Sequence, residues 1–214
     1  IEKEVAALNA QGAQIEVSVE GGLNGNDKEG QLAILRSMIA KGYDVIVVSP
    51  ISDASLLPGI EEAIAAGIKI VTFQAPFDDP YIPYSVSFSF QAQGELAAEW
   101  CAKQLPEGGK VACIMGVADA ASAINVTKGF EEWIENHPES KLELVDVQDG
   151  NWDRVKGNEI MASWLVQYPD LAAVFAENSA MAMGALEAIK DAGKLGQIKL
   201  LGRDGVEEEF ESIR

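Results

Sequence analysis

The chain is poor in the residues from which most catalytic and metal sites are built. Its 214 residues include one histidine and two cysteines, and aromatic side chains make up 7% of it. No apolar run approaches membrane-spanning length. A phosphate-cradling glycine loop, a nucleophile elbow and a cysteine–histidine cluster are missing as well. We therefore predict no catalytic residue, no metal site and no cofactor.

Positive charge is also scarce. The sequence has 16 Lys and Arg residues against 34 Asp and Glu residues, which gives a net charge of −18 and a pI near 4.3. Nucleic acid and anionic membrane surfaces would repel most of such a surface, so neither is an expected partner. The 48% of hydrophobic residues is enough for the core of one large domain or two small ones.

The most informative feature that is present is a block that occurs twice. Residues 59–74 read as a helix, a glycine stop and a buried strand, and residues 184–204 repeat that order. Upstream, residues 38–49 parallel residues 164–176. A duplicated αβαβ unit predicts two similar lobes whose strand ends face each other across a cleft.

Short apolar runs alternate with amphipathic helical patterns along the whole chain. This alternation is typical of parallel strands that helices cover on both faces. Segment 74–89, with three prolines, interrupts it and predicts the crossing between lobes. We predict a doubly wound α/β fold with two Rossmann-like lobes, residues 1–90 and 91–214, and two buried free thiols, Cys101 and Cys113. The predicted strands are 14–19, 44–49, 69–73, 84–87, 110–115, 142–147, 171–176 and 198–202.

Six segments, weak singly but specific in their order and spacing, carry a resemblance to a known family. They are Ile46–Pro50, Ala65–Thr72, Gly129-Phe130, Asn151–Gly157, Val174–Asn178 with Met181–Leu186, and Leu201–Gly205. Together they resemble the type I periplasmic substrate-binding proteins of the ribose, galactose and xylose group, which serve ABC importers. More distantly, they resemble the effector-binding core of lactose-repressor-type regulators.

The resemblance implies a fold, a partner and a location. It implies the type I periplasmic binding protein fold, a sugar-like small ligand, the membrane permease of an ABC importer as partner, and a periplasmic, secreted or lipid-anchored protein. Family members have a strand before the first helix, which this sequence does not contain. We therefore expect an incomplete first lobe that lacks a central strand, and a second chain as one way to complete it.

Ligand contacts are expected just beyond the carboxyl ends of the strands, where open parallel sheets bind ligands. Family sugar binders carry an aspartate at the position of Gln74 and, often, arginines at the positions of Ala75 and Val126, whereas Arg203 replaces a usual phenylalanine. The missing charges predict a less charged pocket, with room for a larger or more apolar ligand, through natural divergence or through redesign. The predicted ligand-binding residues are Gln74, Ala75, Phe90, Val126, Trp152, Asn178, Arg203 and Asp204.

Several of these residues also have a purely structural interpretation. Trp152 could cap the core, Asn178 could cap the helix that follows it, and Asp204 before Gly205 suits a turn. Arg203 could pair with an acid such as Glu207. The sequence alone leaves these alternatives open.

Three functions are compatible with the pattern. The first is a non-enzymatic solute-binding protein that closes two lobes on a small neutral ligand. The second is the effector domain of a transcriptional regulator, and the third is an α/β enzyme of flavodoxin-like shape. Acidity and the segment Asn151–Arg154 favour the first.

Overall fold

The computed structural model describes residues 2–74 and 84–213, and for Gln74 and Ser87 it describes the backbone alone. Helices and strands alternate through these residues. The helices are α1 (Glu2–Ala10), α2 (Lys28–Lys41), α3 (Asp53–Ala65), α4 (Phe90–Gln104), α5 (Ala121–Asn136), α6 (Arg154–Gln167), α7 (Ser179–Asp191) and α8 (Glu207–Ile213), with a 3₁₀ turn at Pro138–Ser140. The strands are β1 (Val45–Val48), β2 (Lys69–Gln74), β3 (Tyr84–Ser87), β4 (Gly109–Met115), β5 (Leu142–Asp149), β6 (Leu171–Ala176) and β7 (Lys199–Leu201).

The strands form two separate parallel sheets. The first has the order β1-β2-β3 and the second the order β5-β4-β6-β7, and every paired neighbour is parallel. This architecture confirms the predicted fold class. The proposed division at residue 90 falls on the first residue of α4 and stays a prediction.

One predicted strand is wrong. Residues 14–19 form no strand, and Val17 and Val19 in this segment are 44% and 78% exposed. The side chain of Asn9 instead pairs with the backbone of Ile15, at 2.8 and 2.9 Å. A groove of about 1100 Å³ separates residues 13–16 from Val45 at the start of β1. Apolar alternation alone does not make a strand when no neighbouring strand lies within hydrogen-bonding reach.

The second sheet is covered on both faces. Helices α4 and α5 pack on one face around Phe130 and Phe175, and α6 and α7 pack on the other around Trp164 and Met181. Cys101 and Cys113 are buried free thiols, as predicted, and burial raises the pKa of Cys101 to about 12. Among the described helices, none has both the length and the apolar character to cross a membrane.

Helices α6 and α7 approach each other unusually closely. A Cβ atom on Gly157 would collide with the backbone of Met181, and one on Gly184 would collide with the carbonyl oxygen of Arg154. Helices α4 and α5 meet in the same way through Gly94 and Gly129. Any larger side chain at these glycines would push the helices apart, so the glycines fix how close the helix starts lie at the carboxyl edge of the sheet.

Amide hydrogen exchange should separate the two sheets. Among the described residues, the amides of residues 14–19 have no ladder partner and β1 pairs on one side only, whereas β4 pairs with both β5 and β6. We expect exchange to be fastest in residues 14–19, intermediate in β1 and slowest in β4. Protection of residues 14–19 equal to that of β4 would contradict the sheet order described here.

Candidate ligand site

A cavity of about 550 Å³ lies between the carboxyl ends of the two sheets. Residues that follow β1 form its wall on the first lobe, and residues that follow β5, β6 and β7 form its wall on the second. The start of α4 closes one side. The lining residues are Gly25, Ser49, Pro50, Ile51, Phe88, Phe90, Gln93, Ser122, Trp152, Asn178, Ala180, Arg203 and Asp204.

The first-lobe wall is held in place by Gln31 of α2. Its Nε2 donates a hydrogen bond to the carbonyl oxygen of Ser49 at 2.7 Å, and its Oε1 accepts one from the amide of Ile51 at 3.0 Å. Both bonds tie the loop after β1 to a helix that packs on the first-lobe core. The backbone that faces the cavity is therefore fixed rather than free to collapse.

Trp152 stands on a strained turn. Asn151 and Trp152 both have left-handed φ angles, 54° and 56°, in a region that glycine normally occupies. The turn is held by hydrogen bonds from the Gly150 amide to Met115 O at 2.8 Å and from the Asp153 amide to Gly150 O at 2.9 Å. Strain of this kind costs on the order of 1–3 kcal/mol per residue and clusters at functional sites. It positions the indole ring in the cavity wall.

Asn178 and Asp204 both serve the start of α7. Asn178 is its N-cap, with Oδ1 accepting from the Met181 amide at 2.8 Å, and Asp204 Oδ2 accepts from the Ser179 amide at 3.0 Å. The cap interpretation of Asn178 is therefore confirmed. Both side chains also line the cavity, and a carboxylate has acceptor capacity beyond one bond. Capping and ligand contact are compatible at these two positions.

Arg203 places a positive charge in the cavity. Its guanidinium carbon lies 5.8 Å from the centroid of the Trp152 ring, within cation–π range. Nη1 donates to Gln93 Oε1 at 3.4 Å, and Nε lies 4.0 Å from Asp204 Oδ1. Arg203 thus contacts Gln93 and Asp204. The alternative partner considered from the sequence, Glu207, is not the acid that it pairs with.

Polar contacts join the lobes at the rim of the cavity. Asp119 after β4 accepts from Lys28 Nζ at 2.5 Å and from Ser52 Oγ at 3.0 Å, and both donors belong to the first lobe. Asn26 Nδ2 also reaches the carbonyl oxygen of Asn151, at 3.4 Å. The two lobes therefore touch at this rim.

The structure brings five of the eight predicted residues together around the cavity: Phe90, Trp152, Asn178, Arg203 and Asp204. Val126 does not line it. That side chain is fully buried in the cluster around Phe130, because it lies on the face of α5 that packs on the sheet. The expected room for a ligand beside Val126 is therefore taken up by the core. Ala75 lies outside the described residues, as does the Gln74 side chain.

Two lining residues escaped the sequence reasoning although periodicity could have found them. Gln93 lies three residues after Phe90 on α4, a spacing that puts both on one helix face. Ser122 is in the first turn of α5, four residues before Val126. The start of a helix after a parallel strand faces the ligand edge, whereas the next turn is already buried.

A third residue that the sequence reasoning missed lies behind the cavity. Glu177 follows β6 directly and is fully buried. Its carboxylate accepts hydrogen bonds from the Gly116 amide and from Thr127 Oγ1, both at 2.8 Å. Burial raises the pKa of Glu177 to about 7, against the lowering effect of those bonds and of Arg203. A single glutamate between an apolar strand and the polar pair Asn178-Ser179 gives no sequence signal that it will be buried.

Comparison with known proteins gives one consistent picture. The profile of the periplasmic binding protein domain family matches residues 1–214. The D-ribose/D-allose-binding protein of Pseudomonas aeruginosa is 32% identical over 188 residues, which are 85% of this chain and 58% of that protein. The chain therefore spans less than two thirds of the length of this relative.

Solved structures agree with the sequence match. An ABC transporter solute-binding protein from Burkholderia multivorans superposes with a TM-score of 0.88 at 28% identity, over 99% of this chain and 75% of that one. A solute-binding protein from Agrobacterium vitis with bound D-fucose gives a TM-score of 0.86 at 25% identity, over 98% and 73%.

The buried carboxyl should make stability depend on pH. A raised pKa in the folded state contributes stability that is complete below the unfolded pKa and is lost as pH rises through about 7. We expect Glu177→Gln to exceed wild type in stability by less than about 1 kcal/mol near pH 5 and by about 3 kcal/mol near pH 8. Urea unfolding at both pH values measures this difference. Glu107→Gln, at an exposed position, is the control variant. An equal effect of Glu177→Gln on stability at both pH values would contradict the prediction.

Proposed function

The chain belongs to the periplasmic binding protein family, and on that premise we propose that it is a non-enzymatic receptor that encloses a small neutral sugar between its two lobes. The cavity between the carboxyl ends of the two sheets is the observation that carries the proposal. Parallel sheets bind ligands at this edge, and here residues of both lobes line the same cavity.

The lining of the cavity suits a sugar chemically. Hydroxyl groups need donors and acceptors, and Gln93, Asn178, Arg203 and Asp204 offer both. The C–H faces of a sugar ring need apolar or aromatic surface, which Trp152 and Phe88 provide. Charge-assisted bonds from Arg203 and Asp204 would supply the stronger part of the recognition.

The charge balance of the lining favours a neutral ligand. Arg203 and Asp204 carry opposite charges and lie 4.0 Å apart, so the cavity has no large excess of either sign. Because the two side chains already pair with each other, an anionic sugar acid that bound Arg203 or a cation that bound Asp204 would have to compete with that pair and would meet a repelling charge beside it. Neutral aldoses and deoxyaldoses of the size of D-ribose, D-allose and D-fucose, which the names of relatives mention, are the ligands to test first.

Closed lobes also explain the contacts at the rim. Lys28 and Ser52 reach Asp119 only when the first lobe lies against the second. We propose that this contact forms as the cleft closes over its sugar, and that the closed protein is then recognised by the permease of an ABC importer in the periplasm. A second chain that supplies a strand beside β1 is a further proposal, supported by the edge of β1 that no strand of the described residues 2–74 and 84–213 pairs with.

Removal of the Trp152 indole should weaken sugar binding. We expect Trp152→Ala to lower the affinity for whichever of D-ribose, D-allose and D-fucose binds by about tenfold or more, because ring contact and the support for Arg203 are both lost. Isothermal titration calorimetry of the chain as it stands measures this directly.

Trp133→Ala provides the matched control. Trp133 lies on α5 and stacks on His137 with ring centroids 4.1 Å apart, away from the cavity. This variant should bind sugar like wild type at temperatures where it is folded. Equal weakening by both variants, or none by Trp152→Ala, would argue against the proposed site.

A further inference from the structure

The sugar contacts proposed for the cavity do not involve Glu177. It lies directly after β6, one residue before the cavity residue Asn178, yet its own side chain is fully buried and does not line the cavity. A buried carboxyl is costly unless its oxygens are satisfied and its charge is matched. Its surroundings supply both, and they lead to the ligand site.

The hydrogen bonds of Glu177 fix the backbone on which Trp152 rests. Oε2 accepts from the amide of Gly116 at 2.8 Å, and Oε1 accepts from Thr127 Oγ1 of α5 at 2.8 Å. A Cβ atom on Gly116 would collide with the six-membered ring of Trp152, so the indole lies directly on this backbone. A shift of Gly116 would therefore move the ring.

Three titratable groups that interact with Glu177 lie on or next to three strands. Arg203 after β7 attracts the carboxylate, and Asp149 at the end of β5 repels it. Cys113 of β4 remains a neutral thiol because burial raises its pKa well above the usual value. Arg203 lies over the same Trp152 ring that rests on Gly116. The carboxylate thus acts on the ring through its hydrogen bond to Gly116 and through the charge of Arg203.

We propose that Glu177 is a positioning residue whose carboxylate holds the Trp152–Arg203 pair in the ligand site. It does so as hydrogen-bond acceptor for Gly116 and as counter-charge for Arg203. The proposal deepens the sugar-binding function above and rests on it for its consequence, although the arrangement of the pair can be tested without any sugar.

The consequence is a coupling between ligand binding and protons. Closure over a neutral sugar removes water from Arg203. The electrostatic attraction between Arg203 and the ionised carboxylate of Glu177 then becomes stronger. Binding should therefore favour the ionised carboxyl and release a proton near neutral pH. Each unit by which closure lowers the pKa of Glu177 corresponds to about a tenfold rise in affinity between acid and alkaline pH.

The ligand-free test uses the emission of Trp152. Its contribution is isolated by subtracting the fluorescence of Trp152→Phe from that of the otherwise identical chain at each pH. We expect a titration with a midpoint near 7, absent in Glu177→Gln and present in Glu107→Gln. Gln can keep the acceptor for Gly116 and lacks the charge, so the comparison isolates the counter-charge. No titration, or one that survives Glu177→Gln, overturns the proposal.

A second variant tests the part of Arg203. Since its charge favours the ionised carboxyl, Arg203→Gln should move the midpoint of the Trp152 titration to higher pH. An unchanged midpoint would show that the two side chains are not coupled and would overturn the proposal.

The ligand-bound test is calorimetry with D-ribose, D-allose and D-fucose in buffers of different ionisation enthalpy. We expect release of up to about half a proton per sugar near pH 7 in the wild type and none in Glu177→Gln. Sugar binding without proton release contradicts the coupling. If no sugar binds while the Trp152 titration behaves as expected, the proposed function fails and the positioning role of Glu177 stands.

Discussion

The close approach of helices α6 and α7 is the constraint on which the site depends. Gly157 and Gly184 let the two backbones touch, and this contact brings the turn before α6 next to the start of α7. Trp152 and Asn178 consequently meet, with Asn178 Nδ2 donating to Trp152 O at 3.3 Å. The equivalent contact of α4 with α5 brings Gln93 and Ser122 to the same edge. The glycines at these helix contacts do not line the cavity, yet they determine where the side chains that line it lie.

The strained turn at Asn151 and Trp152 is held by hydrogen bonds as well as by helix packing. The left-handed backbone at Asn151 and Trp152 is a cost that the fold tolerates only because hydrogen bonds on either side fix the turn. The same turn meets the first lobe, since Asn151 O accepts from Asn26 and Gly25 packs close to the Trp152 side chain. One strained loop therefore carries the ring, contacts the other lobe and lies on the backbone that Glu177 holds. The turn that carries Trp152 thus lines the cavity, contacts the first lobe and lies next to the backbone that is bonded to Glu177.

Sequence reasoning went furthest where local pattern and tertiary structure agree. The buried runs of β4 and β6 and their helices could be predicted because periodicity, glycine stops and caps point the same way. It failed at residues 14–19, where a strand pattern lacks a neighbour to pair with, and at Val126, where one helical turn separates the ligand edge from the core. Glu177 could not be foreseen, because its role depends on Gly116 and Arg203, which lie far from it in sequence and next to it in space.

The central claim is that one ligand is held by both lobes at once. Hydrogen exchange with and without saturating sugar tests it most directly, because each lobe alone offers only part of the contacts. The account predicts that the amides of Ser49 and Ile51 in the first lobe and of residues 151–153 and 203–205 in the second gain protection together, with the same dependence on sugar concentration. Protection confined to one lobe, or to neither while sugar is bound, would contradict it.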